Sequence, residues 1–375
     1  MRLTLPNFYA AANIATMENI TTRPDLASLN LLQLQVLMKT WGLPAFRAKQ
    51  VLDWRNKGIL DVSLMKNLAE PVKTALEANL NTQPLKLVTK QKSEDGTRKY
   101  LFALQRQNQS TKHIESVLIP DESRGTVCIS SQAGCVLDCP FCHTGTQKFE
   151  GNLTAAEIVA QVLAVKHDLL TDPMDQGLHP MVTHIVYMGM GEPLANELAV
   201  FESLDLLMDE SYFHLSRRRI TLSTSGLVPQ IVRLGDHAPV NLAISLHSAI
   251  NHDRDTLVPI NQKHDLSSLR QTLNDYPLAK KRHITLEYVM LKGINDRAED
   301  LLALSKFVNP ERERVNLIRF NTYPGSAYEG SSTDTVNAFA KGLISKGIRA
   351  TVRRSRGDDI MAACGQLKTA KQGIA

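Results

Sequence analysis

Four of the five cysteines in this chain fall within one fifteen-residue stretch, "CISSQAGCVLDCPFC" from Cys128 to Cys142, and the fifth, Cys364, lies more than two hundred residues downstream. Cys135, Cys139 and Cys142 are spaced CxxxCxxC. Three thiolates this close can wrap one corner of an inorganic cluster. A closed structural zinc site wants four ligands, and His143, next to Cys142, would strain to complete the same tetrahedron. An electron-carrying ferredoxin also uses four cysteines for each 4Fe–4S cluster. With three, one iron stays open to a substrate or cofactor, and a redox cluster becomes a catalyst. A zinc site, and thiols that merely pack, stand as the alternatives.

Such a loop needs a scaffold, and the chain beyond Gly125 supplies one. Strand-like runs "TVCIS", "HIVYM", "RITLS", "NLAISL", "ITLEYVML", "VNLIRF" and "RATVRR" alternate with amphipathic stretches such as "TAAEIVAQVLAVKHDLL" and "TDTVNAFAKGLISKG". Alternation of this kind predicts an α/β fold, a parallel sheet with helices outside it, and the number of units suggests a barrel or partial barrel. Ligands then gather at the carboxyl ends of the strands. The cysteine loop falls there, as do Gly189, Gly191 and Glu192 in "GMGEP", Ser223 after "RITL", and Ser245 and His247 in "AISLH". Glycines at a strand end let backbone approach a ligand, and Glu192 offers a carboxylate to an ammonium group. An ordinary glycine turn and a satisfied core histidine are the plainer readings of Gly191 and His247.

Upstream, residues 1–30 show no period and are expected to form a loosely ordered leader, with Met17 as an alternative start. From 31 to 85 apolar residues recur at helical spacing (Leu34, Leu37, Met38, then Val51, Leu52, Trp54), which predicts a small helical domain. Five basic residues, Lys39, Arg47, Lys49, Arg55 and Lys57, stand there against Asp53. They read as a solvated face or as a phosphate-binding one. "KYLFALQ" and "HIESVLIP" predict a β-hairpin linker over 86–120, leading into a main domain over 121–368. An odd cysteine count, no signal peptide and no apolar run of membrane length point to the cytoplasm, where clustered thiols mean metal or catalysis. The net charge of +5 favours an anionic partner only weakly.

The cysteine loop after a first barrel strand resembles the signature of the radical S-adenosylmethionine (SAM) superfamily. "GMGEP", "TLSTSGLVP", "AISLH", "LVPIN", "EYVML", "NLIRFN" and "GDDIMAACGQL", in that order, resemble the RlmN family, whose members methylate C2 of an adenine in RNA. The N-terminal helical region also resembles that family's RNA-binding domain. The resemblance implies a partial (β/α)6 barrel, a 4Fe–4S cluster on Cys135, Cys139 and Cys142, and SAM held by Gly191, Glu192, Ser223, Ser245, Leu246, His247 and Asn321. It implies further that Cys364 is methylated by one SAM, and that a deoxyadenosyl radical from a second takes hydrogen from that methyl group. The methylene radical then adds to the base, because C2 lies between electron-withdrawing nitrogens and is not nucleophilic. Cys128 would release the product and Glu115 would accept the C2 proton. The implied partners are 23S rRNA (adenine 2503), tRNA (adenine 37) and an electron donor such as flavodoxin, with the enzyme a cytoplasmic monomer.

Every cysteine has a place in that scheme, whereas methylthiotransferases need about three more for a second cluster. The chain departs from the family at "TGTQKFEGNL", with Lys148 at an expected glycine and Gly151 at an expected arginine, which puts RNA docking in question. Arg217–Arg219, Lys280–Arg282 and Arg353, Arg354 and Arg356 are candidate phosphate contacts. The competing readings are the related C8-specific branch, a radical SAM enzyme acting on a small molecule, and a zinc-stabilised RNA-binding protein without catalysis.

Overall fold

The computed structural model describes residues 23–106 and 109–368. Helices α1 (Leu31–Thr40), α2 (Arg47–Asn56) and α3 (Glu70–Asn79) form where the apolar spacing predicts helix. Asn30 and Gln33 close a capping box on α1, each side chain accepting from the other's backbone N–H at 2.9 Å. Leu34, Met38, Val51, Leu52, Val72 and Leu76 make the core of this unit. Of the leader expected over 1–30, residues 1–22, with Met17, lie outside the described residues. Residues 23–30 pack into the helical unit: Leu26 and Leu29 join its core, and Asp25 bridges to Asn81.

Strands follow as β1 (Leu85–Lys92), β2 (Arg98–Leu104), β3 (His113–Pro120), β4 (Gly125–Cys128), β5 (Gln132–Ala133), β6 (Gly151–Asn152), β7 (Val182–Tyr187), β8 (Ile220–Thr224), β9 (Asn241–Ser245), β10 (Ile284–Met290), β11 (Glu313–Arg319) and β12 (Ala350–Arg353). Ten of them form one sheet in the order β1-β2-β3-β4-β7-β8-β9-β10-β11-β12, and β5 with β6 make a two-stranded ribbon. From β4 to β12 every pairing is parallel. Helices α4 (Ala155–Thr171), α5 (Glu197–Met208), α6 (Val228–His237), α7 (Asn251–Leu257), α8 (Leu266–Asp275), α9 (Ala298–Phe307) and α10 (Thr333–Ser345) connect them. Because β1 and β12 do not pair, the barrel is partial, as the alternation suggests.

The predicted hairpin is present as β2 and β3, Tyr100 opposite Ser116, but it continues antiparallel onto β4 and so belongs to the barrel's own sheet. Strand β1 was not legible because an edge strand with mostly exposed side chains carries little apolar period. Among the described residues no helix is long and apolar enough to cross a membrane.

Arg55 joins the helical unit to the barrel. It is 1% exposed, its guanidinium lies 3.5 Å from the centre of the Tyr212 ring, and it donates to Leu29 O. Tyr212 Oη donates to Ala27 O (2.8 Å) and Asn56 Nδ2 to Ser211 O (2.9 Å). One of the five basic residues on this unit therefore faces inward, while Lys39, Lys49 and Lys57 are exposed.

Candidate active site

The loop leaving β4 carries Cys135, Cys139 and Cys142, and all three border one cleft of about 1070 Å³ whose other walls are the carboxyl ends of the parallel strands. Cys142 N donates to Cys139 O and Thr146 N to Cys142 O, both at 3.1 Å, which folds the loop tightly. Gly145 is required by that fold, since a Cβ there would stand 2.5 Å from Cys139 O. Leu137 N donates to Cys135 Sγ (3.4 Å).

Burial pushes the Cys135 thiol up to about 12 and raises Cys139 and Cys142, with the neighbouring thiols adding to the effect at Cys139. Ionising all three together calls for a cationic partner. Among the described residues no three His, Cys, Asp or Glu side chains are arranged to hold a single metal ion. Three thiolates match the corner of a 4Fe–4S cluster, whereas a closed structural zinc site wants four ligands. His143, the candidate fourth zinc ligand, is engaged elsewhere: Nδ1–H donates to Gln366 O (3.1 Å) and the ring stacks on Tyr323.

After β7 the "GMGEP" turn lies against the start of the cysteine loop. A Cβ on Gly189 would come within 2.7 Å of the Ile129 carbonyl, and one on Gly191 (φ 97°) within 2.5 Å of Gln132 Cβ. Close approach of protein to protein, more than to a ligand, is what these glycines permit. Gln132 Oε1 accepts from Glu192 N (3.0 Å) and Val136 N (3.3 Å), tying the turn to the loop. Burial raises the Glu192 carboxyl, which accepts from Ser225 N (2.8 Å) and Leu194 N (3.0 Å) and borders the cleft.

Ser223 and Ser245 end neighbouring strands with their hydroxyls 3.5 Å apart. His247 sits at φ 57°, and its Nδ1 accepts from Val289 N (3.1 Å), so the ring proton is on Nε2. Burial, then Arg254, lowers it to about 3, leaving a neutral donor. Leu246 is fully buried and does not border the cleft; its N–H donates to Glu287 O (3.0 Å). Arg254, which no motif singled out, fastens this rim by donating to Leu246 O (3.0 Å), Ser225 O (2.7 Å) and Asn261 Oδ1 (2.7 Å).

Cys364 also borders the cleft, brought there by a C-terminal loop fastened to the cysteine loop. His143 N donates to Gly365 O (2.8 Å), Thr144 Oγ1 to Leu367 O (2.6 Å) and Asn321 Nδ2 to Cys364 O (3.4 Å). Behind it, an adjoining recess of about 510 Å³ is bordered by Cys364, Cys128, Arg353, Arg354 and Arg356. Burial pushes the Cys128 thiol up to about 12; Cys364 adds to this and Arg353 opposes it. Arg353 borders both cavities, and its guanidinium is held charged by Cys364 first. Glu115 borders neither. It is buried on β3, where Oε2 accepts from Lys368 N (2.9 Å) and Oε1 lies 3.6 Å from Lys99 Nζ.

The basic clusters divide by geometry. Arg217–Arg219 and Lys280–Arg282 precede β8 and β10, at the amino ends of the strands and so on the rim opposite the cleft. Arg353, Arg354 and Arg356 follow β12 and border the recess itself. At the departure from the family pattern, Gly151 pairs with Ala133, and a Cβ there would lie 3.3 Å from Lys112 Nζ and 4.0 Å from Arg106 Nη1. Positive charge is thus present beside the position that lacks the expected arginine.

Residues 129–305 match the Radical SAM superfamily model, and residues 24–81 match the ribosomal RNA large subunit methyltransferase N-terminal domain. The chain is 43% identical over 362 residues to a dual-specificity RNA methyltransferase RlmN of Dinoroseobacter shibae, covering 94% of this chain and 89% of that protein. A protein of the same name from Rhizorhabdus wittichii is 45% identical over 358 residues (93% and 88%). A radical SAM methyltransferase structure from Sphaerobacter thermophilus superposes with a TM-score of 0.83 at 36% identity, covering 92% of this chain and 98% of that one. The open sheet with its three-thiol loop, the helical unit before it and these likenesses together place the chain in the RlmN family of radical SAM methyltransferases.

Proposed function

We propose that this chain methylates C2 of an adenine in ribosomal or transfer RNA by way of a methyl group carried on Cys364. One observation carries the reading: Cys364 stands between a cleft bordered by three further thiols and a recess bordered by Cys128, so all five cysteines converge on one site. Cys135, Cys139 and Cys142 would hold a 4Fe–4S cluster, and Gly191, Glu192, Ser223, Ser245, Leu246, His247 and Asn321 would hold SAM. When bound, these supply a methyl group and a hydrogen-abstracting carbon radical, the chemistry that an electron-poor ring carbon requires.

The chain's own residues do the rest. Glu192, fixed by two backbone donors, presents negative charge to an ammonium group. Neutral His247 presents its Nε2–H, and Leu246, buried off the cleft, fixes the strand end that carries Ser245 and His247. Cys364, with the Arg353 guanidinium beside it in the recess, accepts the methyl group. Cys128, in the same recess, attacks the Cys364 sulfur as its thiolate: an S–S bond forms, the S–CH2 bond breaks, and its electron pair leaves with the RNA methylene, which takes up a proton to become the methyl group. Glu115, covered by the Lys368 main chain, takes the C2 proton once the adenine, unstacked from its helix, displaces that contact. Arg354 and Arg356 meet the flanking phosphates, and residues 31–85 act as a separate RNA-binding unit. Electrons come from an external one-electron donor such as flavodoxin, and the protein works as a monomer.

The two lone thiols give the test. Cys364→Ala should yield neither methyladenine nor a protein–RNA adduct, whereas Cys128→Ala should accumulate an adduct, seen as a slow band on a denaturing gel that ribonuclease removes. The double variant should resemble Cys364→Ala. Mass spectrometry of the digested RNA then separates 2-methyladenine from the 8-methyl isomer. Free product from Cys128→Ala at the wild-type rate, or an adduct in the double variant, would refute these assignments.

A further inference from the structure

Glu115 is asked to take a proton although it is buried on β3. Burial raises its carboxyl, which works against a base, and the opposing influence comes first from Lys99, then from the Lys368 N–H. Lys99 lies on β2, its side chain 12% exposed, with Nζ 3.6 Å from Glu115 Oε1 and 3.4 Å from Met361 O. Lys368 from the C-terminal segment meets the carboxylate through its main-chain N–H, and His143 from the cysteine loop, whose own charging is disfavoured by burial and by both lysines, stands near Lys368 and Lys99. From the β7 turn comes the Met190 thioether (3.3 Å from Glu115 N), and from the segment after β4 the Ser130 hydroxyl, which donates to Glu115 O (2.6 Å). Lys99 is thus the side-chain cation that reaches the carboxylate itself.

We infer that Lys99 is a positioning residue for the proton-transfer step, holding Glu115 ionised and aligned beside the loop that carries Cys364. In that step the C2–H bond breaks, its electron pair stays with the adenine ring, and the proton goes to a Glu115 oxygen. Lys99 neither gains nor loses a proton. The inference rests on Glu115 as the base, and nothing in the sequence singles Lys99 out within "KYLFALQ".

The test follows resolution of the protein–RNA adduct in a single turnover of the reconstituted holoenzyme, with an RNA stem-loop containing the target adenine, from pH 6 to 9.5. A cation within about 4–6 Å lowers a carboxyl by about 1–3 units. Lys99→Met should therefore move the acid limb of the rate profile up by about one unit or more, slowing resolution about tenfold below the midpoint and restoring it at high pH. Methylation of Cys364, read by intact mass, should persist, and Lys99→Arg should keep the wild-type profile. If Lys99→Met leaves the limb in place while Glu115→Gln arrests resolution, the lysine's role is overturned and the base stands. If Lys99→Met instead loses Cys364 methylation equally at every pH, the lysine only anchors Met361 and the inference is again overturned. Resolution at the wild-type rate in Glu115→Gln would remove the base, and the inference with it.

Discussion

Arg55 offers a sharp separation of structure from RNA binding, because the sequence groups it with exposed lysines while the fold buries it. Replacing it with Met keeps the unbranched stem and removes the guanidinium. Leu29 O then loses its donor, at about 1–3 kcal/mol for a buried acceptor. The stacked cation over Tyr212 is lost as well, worth about 2 kcal/mol when desolvated. The desolvation that the buried guanidinium itself costs is recovered, so a net loss of about 2 kcal/mol is expected. Thermal unfolding should show it as a drop of a few degrees in the transition that releases the helical unit. RNA affinity measured against salt should keep its slope, since a buried guanidinium touches no phosphate. Lys39→Met, Lys49→Met and Lys57→Met, all at exposed positions, should each flatten that slope by up to about 0.9 and leave unfolding nearly unchanged. Wild-type unfolding together with a slope reduced by one charge in Arg55→Met would show that the arginine meets RNA.

Changing any one of Cys135, Cys139 or Cys142 to Ala should abolish SAM cleavage; deoxyadenosine production retained in all three variants would remove them as ligands. His247 is held near 3 in the fold against about 6.5 when unfolded, so below pH 6.5 the unfolded chain takes up a proton that the folded one does not. Its contribution to stability should fall by about 1.4 kcal/mol per pH unit as pH drops from 6 to 4. His247→Gln should flatten that part of the stability profile, and an unchanged slope would count against a neutral ring. Gly191→Ala places a Cβ 2.5 Å from Gln132 Cβ at a φ of 97°, and should lower SAM affinity by displacing Glu192; isothermal titration with undisturbed binding would show that the turn is not rigid.

What the sequence made legible was whatever is written in short-range pattern. The CxxxCxxC spacing, each strand-like run and each strand-end serine are patterns of residues close together in sequence, and each is found at the cleft. Contacts between distant segments were not legible. Arg55 sits in a helix whose charges suggest a solvated face, and only the docking of Tyr212 turns it inward. Lys99 meets Glu115 through the pairing of β2 with β3, and Arg254 reaches Ser225 from a helix that no motif marks. Arg217–Arg219 and Lys280–Arg282 read as candidate phosphate contacts by charge alone, although a cluster just before a parallel strand lies on the rim away from the ligand.

The loop bearing Cys364 shows why a family motif at the end of the chain can matter more than its distance from the cysteine loop suggests. Gly357, Met361 and Gly365 all have positive φ (66°, 52° and 80°), which coils the segment into a compact arch. At Met361 that conformation costs strain and persists because neighbours over-determine it. The neighbours are identifiable: Asp95 accepts from Gly357 N (3.1 Å), Lys99 from β2 reaches Met361 O, and His143 and Thr144 hold Gly365 and Leu367. Each of these contacts is made to a main-chain atom of the arch, and none uses the Cys364 sulfur. Position is therefore set by the backbone, and the thiol is left for chemistry. Because two of the anchors directly follow Cys142, the same fold that gathers the three thiols of the cysteine loop also fixes where the Cys364 sulfur stands.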